Sequence, residues 1–173
     1  MNWIRGFANM FLLLHLKNQT YRVLEPGRNS GLVSIIFSGD HLTDQQIALD
    51  FANRLQDQMS VRVYLFGFLN KKLDQKVTFS FPHISLSDMG VSPIPKSKAL
   101  DLFLQRRYDY LINLDLSNHL VLHYLSNKIH ARHKLAINPK LPRLYDIVLQ
   151  KAIGDSDSDH VEKTLDIFKK TYG

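Results

Sequence analysis

Asp40, Asp115 and His119 are of types that move protons, and each stands where a strand-like run gives out. Leu32 to Phe37 precedes Ser38-Gly39-Asp40-His41, and Tyr108 to Leu116 leads through Ser117-Asn118 to His119. Either aspartate could act as a general base beside a histidine, given a substrate within hydrogen-bond reach. The same side chains also serve routinely as turn and helix-cap residues after strands, Asp40 and Thr43 in one place and Ser117-Asn118 in the other. Both uses stay open.

Other chemistries find less support. No G-x-G-x-x-G follows the first strand, no G-x-x-x-x-G-K-[ST] occurs, and Gly39 has no glycine neighbours, so a standard dinucleotide or Walker-type site is disfavoured and no cofactor is expected. His119 and His123 have the i,i+4 spacing of two metal ligands on one helix face, but Leu120-Val121-Leu122 lie between them where H-E-x-x-H needs a glutamate. No metal site is expected. With no cysteine in 173 residues, thiol chemistry and thiolate metal sites are excluded.

The elements that would position these residues alternate. Leu32 to Phe37 and Val61 to Leu69 suit buried parallel strands, with a helix from Thr43 to Met59 between them. Val77, Phe79 and Phe81 suggest a short edge strand stopped by Pro82. A helix is predicted over 96–107, a strand over 108–116, a helix over 118–130 and a strand over 132–137. A last strand is expected over 145–150 and a closing helix from His160 to Tyr172. Strands alternating with helices imply a Rossmann-like α/β domain, an open, mostly parallel sheet with helices on both faces. Its strand tips would share one rim. The expected organisation is an amphipathic helix and linker over 1–30 and a single domain over 31–173.

The net charge of +6 is local. Residues 96–143 hold nine basic residues against three acidic ones, and the remaining residues balance. Within that segment Lys128, Arg132, His133, Lys134, Lys140 and Arg143 form a candidate surface for nucleic acid or another polyanion. Tyr108, Tyr110, Tyr124 and Tyr145 are near enough in sequence to stack on bases. A solvated helix end would explain the same cluster.

Met1 to Lys17 places Trp3, Ile4, Phe7, Met10, Phe11 and Leu14 on one helical stripe, and Leu12, Leu13 and Leu16 widen it. Packing on the chain's own domain is the first expectation, and docking on a protein or membrane surface the alternative. Asn18, Gln19 and Thr20 arrive too soon for a transmembrane span, and no signal-peptide cleavage site follows, so the expected location is cytoplasmic.

The chain resembles a bacterial domain family of unknown function. The resemblance is carried by the basic-amphipathic start, the run before Ser38-Gly39-Asp40, Phe66-Gly67-Phe68-Leu69-Asn70-Lys71-Lys72, Lys96-Ser97, and Tyr108 to Leu114 leading to His123-Tyr124. Residues 31 to about 137 are also similar to the amino-terminal half of heptosyltransferase-like (GT-B) glycosyltransferases, through Gly39-Asp40 and the Tyr108 to Ile137 stretch. That resemblance implies a base acting on an acceptor at Asp40; the donor-binding second domain of those enzymes has no counterpart in this sequence. The resulting expectation is a small non-catalytic binding protein whose basic face, residues 96–143, engages RNA or a ribonucleoprotein. The alternatives are a minimal or degenerate transferase or hydrolase built on Asp40, and docking through the amino-terminal helix.

Overall fold

The computed structural model describes residues 31–73, 78–89, 94–152, 154 and 156–172, with Met10, Leu12, Leu13 and Leu16. Six strands form one parallel sheet: β1 (Leu32–Ser38), β2 (Arg62–Leu69), β3 (His83–Ser85), β4 (Arg107–Asn113), β5 (His130–Ile137) and β6 (Ile147–Leu149). Their order is β3-β2-β1-β4-β5-β6. Beyond the amino-terminal segment, four α-helices accompany them among the described residues: α1 (Leu42–Met59), α2 (Lys98–Leu104), α3 (Leu120–Lys128) and α4 (Asp157–Tyr172). The fold is a single Rossmann-like α/β domain, and the sheet is wholly parallel.

The central place of β1 explains its apolar run, in which the buried Ser34 hydroxyl is satisfied by donating to the Tyr110 carbonyl at 3.2 Å. Val33, Ile35 and Phe37 pack with Phe51 and Leu55 of α1 and with Val161, Leu165 and Phe168 of α4. Ile36 faces the other side, where Leu100 and Phe103 of α2 meet Leu122 and Leu125 of α3. Each fully buried Leu or Phe among them contributes about 2 kcal/mol by the area removed from water.

Several element boundaries differ from expectation. The edge strand is His83–Ser85, after Pro82, and Val77 lies outside the described residues. Phe79 and Phe81 are spent as packing instead: Phe81 meets Phe37 edge-on at 4.9 Å. It also occupies the space over Gly67, where an added Cβ would fall 2.5 Å from its ring. Pro82, which has no N–H to give, accepts from the Gly67 N–H through its carbonyl at 2.9 Å. Helix α1 begins at Leu42, with His41 rather than Thr43 at its N-cap. Helix α4 starts at Asp157, three residues before His160, because Ser156 and Asp159 exchange hydrogen bonds in a reciprocal cap. Helix α2 covers its apolar pattern but is shorter than the expected 96–107: Ser97 caps its start by accepting the Leu100 N–H at 3.1 Å, and the chain must enter β4 at Arg107.

The four described amino-terminal residues are helical. Leu12 packs among the residues of α2 and α3, and Leu16 against Ala136, Leu144 and Tyr145. Met10, which belongs to the predicted stripe, is half exposed. The rest of the expected helix lies outside the described residues. Among the described residues no helix is long and apolar enough to cross a membrane.

Candidate functional site

In this strand order the chain leaves β1 toward one edge of the sheet and later returns to place β4 on the opposite side of β1. Open α/β sheets gather ligands in the crevice outside the carboxyl ends of two such strands. Asp40 follows β1 there, and Asp115 and His119 follow β4.

Asp115 is fully buried and organises its own loop. One carboxylate oxygen accepts the Ser117 N–H at 3.0 Å and lies 3.1 Å from His119 Nδ1; the other accepts the His119 backbone N–H. Its own N–H donates to the Asn113 side chain at 2.9 Å. On the far side of the imidazole, Nε2 lies 3.4 Å from Asp40 Oδ2. The other oxygen of Asp40 accepts the Asn70 N–H at 2.6 Å, which ties the β1 tip to the β2 tip. Gln45 fixes the same turn by donating to the Gly39 carbonyl at 2.7 Å. Phe68 closes one side, its ring edge-on to His119 with centroids 5.3 Å apart. The His119 side chain retains 15% of its surface and that of Asp40 21%, so both can be reached from solvent.

Burial opposes a charged His119, but the hydrogen bond and charge of Asp115, with the charges of Asp40 and Asp44, outweigh it and raise the imidazole above 6.5. Asp44, in the first turn of α1, is raised by burial and by the charges of Asp115, Asp157 and Asp40, against the opposing pull of His41. The charges acting on the imidazole are therefore carboxylates, although the protein is basic.

Behind the loop lies a buried polar network with no counterpart in the sequence analysis. The Ser126 hydroxyl donates to the Leu122 carbonyl at 2.9 Å, and the Tyr145 hydroxyl donates to Ser126 at 3.0 Å. With both hydroxyl protons committed, His123 Nδ1 must be the donor in its 2.8 Å contact with the Tyr145 oxygen, which also accepts from Asn113 at 2.7 Å. His123 Nε2 is then a bare acceptor, and it is buried without a partner. Burial keeps this imidazole neutral by lowering its pKa. Burial also pushes the Tyr145 hydroxyl far up. Asn113 joins the network to the Asp115 N–H. A histidine four residues after His119 was the visible signal; the Tyr145 partner lies 22 residues further along the chain. Among the described residues no group of three or more His, Cys, Asp or Glu side chains is arranged to hold a metal ion.

The basic candidates separate. Lys128 and Arg132 lie at the start of β5, and Lys140 and Arg143 lie beyond its end. Eight residues of extended strand put about 23 Å between those ends. His133 turns to the opposite face, against Tyr110. Lys134 is largely buried and donates to the Ser126 carbonyl at 2.6 Å, and burial lowers its amine to about 8. Tyr108, Tyr124 and Tyr145 are buried, and Tyr110 packs on Phe168, so these rings are committed to the core.

A model of one protein family matches residues 7–165. The chain belongs to a family of unknown function (DUF6913). No curated protein and no solved structure gives a significant match. The similarity to heptosyltransferase-like enzymes therefore has no matching relative behind it.

Proposed function

We propose that the protein binds a small polar molecule at the crevice between β1 and β4 and exchanges a proton with it, His119 acting as donor and Asp40 as acceptor. The observation that supports this is a single imidazole shared by two carboxylates, one from each central strand tip. Asp115 orients the ring and keeps it charged, and the ring edge at Nε2 is the part a ligand meets. Asp40 holds one oxygen on the Asn70 N–H and turns the other toward His119 Nε2, so a ligand hydroxyl or ammonium would enter between the two. The heptosyltransferase resemblance would give Asp40 the same task on an acceptor hydroxyl. The charges of Asp115 and Asp44 beside the imidazole favour neutral polyols or amines over phosphates.

A thermal-shift screen of polyols, sugars, amines and nucleotides tests this reading. A true ligand at a hundredfold its Kd adds about 2.7 kcal/mol of stability. The expected hit is a hydroxylated or amine compound whose shift is lost in Asp40→Asn and in His119→Gln. Stabilisation by nucleotides alone, or shifts untouched by both substitutions, would overturn it.

A further inference from the structure

The opposite end of the sheet, where the strands begin, carries a row of cations. Arg62 opens β2, Arg106 and Arg107 lead into β4, and Lys128 and Arg132 flank the start of β5. Arg62, Arg106 and Arg107 are exposed, and Lys128 and Arg132 are half-buried. Because β2, β1, β4 and β5 are neighbours, these five cations span three strand spacings, about 14 Å. The carboxyl ends of α2 and α3 point to the same end, and their partial negative charge favours cations there.

Three of these side chains have partners that position them. The Arg106 guanidinium lies 4.6 Å from the Tyr64 ring centroid and the Lys128 ammonium 5.6 Å from that of Tyr124. Asp109, the carboxylate in contact with this group, is buried and spent on Arg132 and on the Leu32 N–H. Four of the five cations are arginines, whose planar fork suits phosphate oxygens better than an ammonium does.

We propose that this rim is a docking surface for the phosphodiester backbone of a nucleic acid, with little dependence on sequence. Among the described residues, the Tyr64 and Tyr124 rings are engaged by Arg106 and Lys128, which argues against base stacking on them. An anionic membrane is disfavoured because interfacial binding needs apolar anchors beside the bases. The exposed large apolar side chains among the described residues are Met10, Leu42, Leu102 and Ile167, one to an element. The site is separate from the β1–β4 crevice and stands without it.

The test is fluorescence anisotropy of a labelled 20-nucleotide single-stranded RNA, its DNA equivalent and a DNA duplex, with the full chain at several salt concentrations. Three to four phosphate contacts on a single strand predict a log–log salt slope of about −2 to −3. Arg106→Glu/Arg107→Glu should weaken binding at least about tenfold and flatten the slope by about 1.4. Lys71→Glu/Arg143→Glu makes the same change of net charge at the other rim and should stay within about twofold of the parent. If the first double variant fails to fold by circular dichroism, Arg62→Glu carries the same expectation at half the slope change. No binding by the parent at low salt, equal weakening by both pairs, or retention on anionic vesicles with no oligonucleotide binding would each overturn the proposal.

Discussion

Asp115 grips His119 at two points, the backbone N–H through one carboxylate oxygen and the ring Nδ1 at 3.1 Å through the other. The same carboxylate that shapes the loop therefore fixes the tautomer and charge of the imidazole, so a cap and an orienting group are one residue. Asp115→Asn should keep much of the loop, because an amide oxygen still accepts a backbone N–H, while His119 loses its principal charge partner. The expected result is a folded protein whose His119 titrates lower than in the parent, read by nitrogen-detected NMR of the imidazole. An unchanged titration would remove Asp115 from the site.

Stability should respond to pH on two limbs of opposite sign. His119 is raised above 6.5 in the folded protein, so its stabilising contribution is complete below 6.5 and is lost as pH rises through the folded value. His123 is lowered, so its contribution is present above 6.5 and is lost as pH falls through its folded value. Urea melts from about pH 5 to 8.5 check both: His119→Gln should flatten the upper limb and His123→Asn the lower one.

Tyr145→Phe removes the oxygen on which His123, Asn113 and Ser126 converge. Leaving buried polar groups unpaired costs about 1–3 kcal/mol. A denaturant midpoint within error of the parent would show that water enters freely in place of the hydroxyl.

Gly67→Ala should destabilise by about 1–3 kcal/mol through overpacking, since the new Cβ would sit 2.5 Å from the Phe81 ring. Phe81→Leu in the same chain should recover part of that loss. Additive effects of the two substitutions would refute the steric account.

Lys128 and Lys134 are near neighbours in sequence with different predicted phenotypes. Lys134→Glu places a carboxylate against the α3 carbonyls that Lys134 now serves and should lower stability by about 2 kcal/mol or more. Lys128→Glu gives up a cation at a helix end and its contact with the Tyr124 ring, should cost about 1 kcal/mol, and acts on nucleic-acid retention as well. Thermal melts paired with the anisotropy assay separate the two.

Strands β1 and β2 were legible as largely apolar runs, and β4 and β5 from the apolar stretches that end them, Tyr110 to Ile112 and Leu135 to Ile137; the tips were legible because the fold class dictates which ends meet. The three-residue β3 was not: Phe79 and Phe81 outrank His83–Ser85 in apolar pattern, and only the ring seated over Gly67 shows where they went. The Ser156-x-x-Asp159 cap was readable in principle and was outweighed by the turn-rich composition around it. The basic segment divides for a geometric reason: residues close in sequence are carried to opposite ends of the sheet when an extended strand runs between them. The convergence of Asp40 and His119 could be expected from strand tips; the second grip of Asp115 and the Tyr145 network depend on side-chain directions that spacing alone leaves open.

The position of β1 between β2 and β4 also has a kinetic meaning. Val33 pairs with Tyr110, 77 positions away, whereas Leu32 pairs with Arg62 after only 30. Closing the longer loop is entropically the more expensive step and favours late formation. Asp40 belongs to the half that can assemble early, and Asp115 and His119 belong to the half that must arrive afterwards. The aspartate–histidine contact across the crevice is thus a seam between two folding units, and the rate at which it forms should mark completion of the sheet.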